Sequence, residues 1–374
     1  MISLFGSWVG KEELGQIAEC FDKQWIGIGP KVAEFEKQLA ARLGVPDLVL
    51  LNSGSNSLHM AVKLLDLPEG SEVILPTFTW ISCASAIQLN RLKPVFCDVD
   101  LNTCNMRPSD VREKVTSKTA AVMVVHYAGK PVDMDGIREL GFPIIEDAAH
   151  AIDSTYKNKA CGTLGDTAIF SFDAVKNLTT GEGGAVLSRD PSRLKRARAL
   201  RYCGIAKSGF QASASKDRWW EYDIQDYFPK MLPNDIAAGI GLAQLQKLDS
   251  FQNRRKQLWT RYQETLSSES WSKDWLALPP DPERHERHSY FTYCVRLKHG
   301  SRDKLAKHLY DRGVYSSLRF HPLHLNAIYG NQVSLPNSEL LNETALCIPF
   351  HHRLSDGDVE KIFDGLKSFT QNKL

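Results

Sequence analysis

The chain has 374 residues, which at about 150 residues per domain predicts two or three domains with sizeable cores. With 46 Lys and Arg against 44 Asp and Glu, a net charge of +2, and 24% charged and 43% hydrophobic residues, it reads as an ordinary globular protein with no polycation for nucleic acid. The densest basic stretch, RLKRARALR (193–201), places Leu194, Ala197, Ala199 and Leu200 at helical spacing and predicts a surface helix with a solvated cationic face.

The eight cysteines are scattered singly, with no C-x-x-C pair and no zinc-type spacing, so the expectation is reduced thiols and no metal site. MISLFGSWVGKEEL lacks a basic segment followed by an apolar one, and no apolar run approaches about 20 residues. The expectation is therefore a cytoplasmic protein with no membrane partner.

In chain order, Val32, Phe35, Leu39 and Leu43 form one helical stripe after the stop at Gly29-Pro30. Seven β-rich runs follow: DLVLL (47–51), EVILP (72–76), KPVFCDV (93–99), AAVMVVHY (120–127), PIIED (143–147), TAIFSF (167–172) and GAVLS (184–188). Apolar strands alternating with helical stretches predict an α/β domain with a mostly parallel sheet buried on both faces. Near residue 250 a polar and aromatic helix (Phe251 to Leu266) leads into a Pro/Asp/Glu/Arg-rich loop (Pro279 to Arg287). This change marks a boundary: a large α/β domain over 1–250 and a smaller α+β domain over 251–374. The second contains YFTYCVRL (290–297) as a strand, a helix over 301–312, VYSSLRF (314–320) as a strand, and a last helix near 355–369 opened by Ser355 and Asp358.

Three segments carry chemistry. Asn52-Ser53-Gly54-Ser55-Asn56-Ser57 joins a strand to a helix, and a small-residue turn there exposes backbone N–H groups at a positive helix end, a phosphate site. It contains neither G-x-G-x-x-G nor a P-loop, and a tight turn with a helix cap is the plainer reading of it alone. PIIED ends in Glu146 and Asp147, which alternate faces; the strand end is where α/β sheets bind ligands, but on this segment alone a cap or a surface charge is the plainer reading. TAIFSF leads to Lys176 in a polar, glycine-rich loop between two buried strands, where a lysine can lose its proton and become an imine-forming nucleophile. An amine for an aldehyde, a carboxylate for a pyridinium nitrogen and a phosphate cradle fit one cofactor.

The chain resembles the DegT/StrS-type aminotransferases, which use pyridoxal 5'-phosphate (PLP) and act on keto sugars, mostly nucleotide-linked. The likeness spans WIGIGPKVAEFE (25–36), NSGSNSLHMAV (52–62), LPTFTWISCASAI (75–87), KPVFCDVD (93–100), IIEDAAHA (144–151), FSFDAVKNLTTGEGGAV (170–186), NDIAAGIGLAQLQKLD (234–249), FHPLH (320–324) and LCIPFHHRLSD (346–356). It implies a three-layer PLP-transferase (fold-type I) with a smaller C-terminal α+β domain. Lys176 matches the family's Schiff-base lysine and Asp147 the acid paired with the pyridine nitrogen. Gly54, Ser55 and Ser171 match phosphate-binding residues, Trp80 the aromatic stacked on the cofactor, and His150 a position near it. Lys230 falls where a second subunit reaches the phosphate, although FPKMLP departs from the usual Tyr-rich pattern, and His324 lies in a segment that lines family sites. Asp173 stands where many members have His, and the segment 203–227, with Trp219, Trp220, Tyr222 and Tyr227, is individual to this chain.

By resemblance the activity is ping-pong amino transfer from glutamate or glutamine to a keto sugar in a homodimer, with Lys176 as both imine tether and base. Three readings compete. A sugar 3-dehydratase of the same fold has histidine in place of the lysine, which counts against it here. A catalytically silent PLP-fold binding or regulatory protein has to explain an intact tether, acid and cradle. A nicotinamide-dependent oxidoreductase needs the missing glycine fingerprint.

Overall fold

In the computed structural model, which describes residues 1–205, 220, 222–330 and 333–371, the chain opens with two helices, α1 (Lys11–Asp22) and α2 (Pro30–Leu43). A proline at the first helical position starts α2, and Gly44 ends it at φ 68°, in the left-handed region that glycine enters without penalty. The stripe of Val32, Phe35, Leu39 and Leu43 is buried, as its spacing predicts.

Then come β1 (Val49–Leu51), α3 (Gly54–Lys63), β2 (Glu72–Pro76), α4 (Ser82–Leu89), β3 (Lys93–Cys97), β4 (Thr119–Val125), β5 (Ile144–Asp147), a short hairpin of β6 (Thr155–Tyr156) and β7 (Lys159–Ala160), β8 (Thr167–Ser171) and β9 (Gly184–Ser188). Seven of these form one sheet in the order β1-β9-β8-β5-β4-β2-β3. The pairs β3-β2, β2-β4, β4-β5 and β5-β8 are parallel, and β9 alone runs against its neighbours. All seven β-rich runs of the sequence are in this sheet.

Successive side chains on a strand point to opposite faces, and the core divides accordingly. Leu50, Ile74, Val122, Val124, Ile144 and Phe170 pack with α2 and the first half of the long helix Asp235–Ser268. Leu51, Val73, Leu75, Met123, Ile145 and Ile169 pack with α3, α4 and the helix Pro191–Leu200. Helix, sheet and helix make three layers.

The same alternation separates the two acids of PIIED. Glu146 is fully buried on the α2 face, where its carboxylate accepts from the Gly162 N–H at 2.8 Å, the Leu164 N–H at 2.5 Å, the Gly165 N–H and His126 Nε2 at 2.9 Å. It caps a turn from inside the protein and is no surface charge. Asp147 faces the other layer.

The smaller unit is a three-stranded antiparallel sheet of Leu276–Ala277, Tyr293–Leu297 and Ala345–Ile348, covered by Arg302–Asp311 and Asp356–Gln371. Ser355 and Asp358 cap the last helix reciprocally, Ser355 N–H to Asp358 at 3.0 Å and Asp358 N–H to Ser355 Oγ at 3.1 Å. VYSSLRF is not a regular strand: Val314 bridges Ile2 and Ser317 bridges Cys347, and Ala345–Ile348 takes the place beside Tyr293–Leu297. Residue 250 lies within the long helix Asp235–Ser268. The long helix runs through it, with Leu242, Leu245 and Leu248 in one core and Leu258, Trp259, Tyr262 and Leu266 in the other. Within the loop Pro279 to Arg287, Glu286 and Arg287 pair with β6, and Glu286 meets Lys130 in a buried ion pair at 2.6 Å.

The basic helix Pro191–Leu200 also departs from expectation. Its arginines are ion-paired: Arg196 with Asp66 and Asp226, Arg198 with Asp47 and Glu36. Just past its end, Arg201 is buried against Glu36 at 2.7 Å. Among the described residues all eight cysteines are free, and no helix is long and apolar enough to cross a membrane.

Removing the Glu146 carboxylate strands several buried donors, each costing about 1–3 kcal/mol. Glu146→Ala is expected to lower stability by about 3–5 kcal/mol in urea unfolding, whereas Glu139→Ala at an exposed position stays within about 0.5 kcal/mol.

Candidate active site

Because β1, β2, β5 and β8 point the same way, the segments leaving them open at one rim of the sheet, where a cavity of about 320 Å³ lies against α3 and α4. Ser53 caps α3, its Oγ accepting from the Asn56 N–H at 3.1 Å. The first N–H groups of a helix have no partner within it and carry its positive end. Helix α4 starts at Ser82, whose hydroxyl lies 2.6 Å from that of Ser55, so two helix N-termini meet at one hydroxyl pair. A Cβ on Gly54 would stand 2.7 Å from the Cβ of Ser171, and only glycine lets this turn approach the end of β8 so closely. Gly54, Ser55 and Ser171, separated by more than a hundred residues, thus line one pocket.

Asp147 ends β5 in the same cavity, nearly fully buried. Its Oδ1 accepts from the Ala149 N–H at 2.9 Å and its Oδ2 from the Cys83 thiol at 3.1 Å. Burial, together with the Asp147 charge, pushes the Cys83 pKa well up, so the thiol keeps its proton and remains a donor. The carboxylate is thereby held in one orientation.

Lys176 reaches the cavity from the loop after β8. Its N–H donates to the Asp173 carbonyl at 2.9 Å, and the adjacent Asn177 side chain donates to the Ser289 carbonyl at 2.7 Å, fixing the backbone on both sides. The ammonium lies 4.9 Å from the centre of the Phe291 ring. Burial and the nearby Arg319 charge push its pKa down to about 8, against the opposing pull of Asp147 and Asp173.

His150 is buried, stacked on Phe291 at 4.0 Å and 15°, with Phe320 at 6.0 Å. Its Nδ1 has no hydrogen-bond partner among the described residues. Burial, then Lys176 and Arg319, holds its pKa well below the usual range, so the ring is neutral. Trp80 lines the cavity as an exposed aromatic wall 5.6 Å from Phe320, and Asp173 lines it too.

Two candidates lie elsewhere. Lys230 is exposed outside this cavity, its ammonium 5.9 Å from the centre of the Tyr202 ring. His324 is buried behind the site, Nδ1 2.7 Å from Thr77 Oγ1 and Nε2 3.4 Å from Glu339, so it ties the smaller unit to the loop after β2 and does not line the cavity. Of the segment 203–227, residues 206–219 and 221, Trp219 included, lie outside the described residues, while Tyr222 and Tyr227 are exposed.

Sequence reasoning missed Ser82, Cys83 and Arg319. The first two sit in LPTFTWISCASAI beside Trp80, and Arg319 directly precedes FHPLH. Period-3.6 positions on a helix that starts at the sheet rim were the available signal for the former; nothing local distinguished the latter.

The sequence profile of the DegT/DnrJ/EryC1/StrS aminotransferase family matches residues 8–367. The chain belongs to this family. Among its relatives is the dTDP-4-dehydro-2,3,6-trideoxy-D-glucose 4-aminotransferase of Saccharopolyspora spinosa, 39% identical over 382 aligned positions that take in 100% of this chain and 98% of that one. The crystal structure of the aminotransferase TlmJ from Streptoalloteichus hindustanus superposes with a TM-score of 0.93 at 39% identity, covering 100% of both chains. Spr1654 from Streptococcus pneumoniae, in its PLP form, does so at 0.90 and 27% identity, covering 100% of this chain and 99% of its own.

In the cofactor-free chain, labelling of Lys176 by an amine-reactive acylating reagent, followed by peptide mass mapping, is expected to rise with a midpoint near pH 8. Because the Arg319 cation lowers that midpoint and the Asp147 anion raises it, Arg319→Gln shifts it upward and Asp147→Asn downward.

Proposed function

We propose that this enzyme moves an amino group from glutamate or glutamine to a keto sugar by a ping-pong route, with PLP as its cofactor. The observation that carries the reading is the convergence of Lys176, Asp147 and the Gly54/Ser171 turn on one cavity at the rim of the sheet. The fit to the cofactor rests on chemistry present there. The turn and two helix N-termini suit a phosphate, the oriented carboxylate of Asp147 suits a protonated ring nitrogen, Trp80 gives a flat wall, and Lys176 gives an amine that is easily neutral.

When bound, PLP supplies an aldehyde that accepts an amine and a cationic ring that withdraws electrons from the carbon losing its proton. Gly54, Ser55, Ser82 and Ser171 would hold its phosphate. Asp147, fixed by the Ala149 N–H and the Cys83 thiol, would keep the proton on the ring nitrogen. Lys176 would hold the cofactor through its Nζ and, as a free amine, would take the proton from the donor's Cα. A pKa near 8 leaves a useful fraction of it unprotonated at neutral pH, which an ordinary lysine lacks. In the sugar half of the reaction the same amine would return a proton to the carbon that receives the nitrogen.

The name of the 39%-identical relative supports a dTDP-linked 4-keto deoxysugar as the acceptor, with delivery to C4. Exposed Trp8, Val9, Leu14, Phe21, Trp25 and Ile26, each more than half accessible along the N-terminal segment, support association with a second copy of the chain. In that dimer Lys230 serves the neighbouring phosphate site. Light scattering of the holoenzyme is expected to give twice the chain mass, and a monomeric active enzyme contradicts the pairing.

Borohydride reduction of the holoenzyme followed by peptide mapping is expected to fix the cofactor on Lys176; label on any other lysine ends the assignment. Asp147→Asn is expected to bind PLP and lose turnover by about a hundredfold or more, since the geometry survives and the ring proton does not. A panel of 3-keto and 4-keto nucleotide sugars with glutamate, followed by 2-oxoglutarate release, decides the acceptor; release with no member of the panel sinks the sugar reading.

A further inference from the structure

Three of the eight cysteines converge at a place that the steps above do not use. Cys294 and Cys347 are partners in the register of Tyr293–Leu297 and Ala345–Ile348. Residues opposite each other in an antiparallel pair either exchange backbone hydrogen bonds or turn their backbone groups away, and Cys347 shows which. Its N–H donates to the Ser317 carbonyl at 2.8 Å and its carbonyl accepts from the Ser317 N–H at 3.1 Å, both on the side away from Cys294. The two cysteines are therefore a non-hydrogen-bonded pair, the closer arrangement, with Cα atoms about 4.5 Å apart and both thiols on one face of the sheet. A disulfide spans Cα separations of about 4.4–6.8 Å, so the strands need not part for one to close.

Cys104, from the loop after β3, completes the group: the Cys294 thiol is in hydrogen-bonding contact with both Cys104 and Cys347. They are not a metal site, since among the described residues no cluster of ligands could hold one. Of the three, only Cys294 is partly exposed, and it shares with Cys104 a crevice of about 10 Å³ beside Leu278 and Pro279. That is room for one molecule the size of water, which admits hydrogen peroxide and excludes a bulky disulfide reagent. The Cys104 thiol, together with burial, pushes the Cys294 pKa up, so at neutral pH the group rests as thiols. We infer that Cys294 and Cys347 are a peroxide-closed disulfide pair that staples the smaller unit. The Cys294 sulfur attacks one peroxide oxygen, the O–O bond breaks, and hydroxide leaves as water with the Cys294 proton, giving a sulfenic acid. The Cys347 sulfur then attacks that sulfur, the S–O bond breaks, and a second water leaves with the Cys347 proton. Two thiols are oxidised to one disulfide and the peroxide is reduced to two waters.

The two residues are about fifty positions apart in sequence, so the bond takes freedom mainly from the unfolded chain and leaves the fold in place. The test is holoenzyme treated with graded hydrogen peroxide and followed by peptide mass mapping and urea unfolding, in wild type, Cys294→Ser and Cys347→Ser, with a parallel sample containing dimedone to trap sulfenic acid. Wild type is expected to lose two hydrogens in a bond between Cys294 and Cys347 and to gain about 0.5–1 M in its urea midpoint, both reversed by dithiothreitol. Cys347→Ser is expected to carry dimedone on Cys294 instead, and Cys294→Ser to form no bond at Cys347. The wild-type map needs no variant to fold. A bond from Cys294 to Cys104 overturns the pairing, and a lower urea midpoint in the bonded protein overturns the staple, because the register then does not fit the bond. Folded wild type that keeps both thiols while Cys203, also partly exposed, is oxidised overturns the inference as a whole.

Discussion

Taking an amine out of water is the constraint around which this site is built. A lysine at the surface keeps its proton to beyond pH 10 and can neither attack nor accept, whereas one enclosed by β8, Phe291 and the rim of the sheet is near its balance point at about 8. The enclosure has to be polar enough to bind ligands and dry enough to keep that pKa low. Asp147 and Asp173 supply negative charge, Arg319 offsets it, and His150 stays neutral because it too is desolvated. None of these groups is adjusted independently, since each sets the field felt by the next.

What brings them together is the direction of the strands. In a parallel sheet the segment after every strand emerges at the same rim, so residues near 54, 82, 147, 171 and 176 meet without any of them being neighbours in sequence. Close approach then does the rest: the missing side chain at Gly54 admits Ser171, and the buried thiol of Cys83 aims a carboxylate.

Much of this was legible in the chain itself. The seven strands are short apolar runs, and a strand buried on both faces has no other way to be written. Lys176 and Asp147 stood out because a charge at the end of such a run demands a partner. The pairing of the two acids was harder: alternation said that Glu146 and Asp147 part company, but only the fold shows Glu146 caging the turn 162–165 from within. Cys83 and Ser82 were hidden because a small polar residue on a helix looks the same whether it faces solvent or a carboxylate. Arg319 was hidden because its neighbours, Phe5 and Phe291, come from distant parts of the chain. VYSSLRF alternates as a strand does and lies against the open edge of Ala345–Ile348, yet it pairs there at one position only, Ser317 with Cys347, and no ladder forms. The arginines of the helix 191–200 read as solvated because their acidic partners at 36, 47, 66 and 226 are remote in sequence.

The long helix Asp235–Ser268 belongs to both cores at once, with no proline or chain break where one gives way to the other. A continuous helix resists sharp bending unless something interrupts its hydrogen bonds. The two halves of the molecule therefore share one spine, with a second tie at Lys130 and Glu286, and any shift of one half against the other has to be taken up along that helix and at this ion pair.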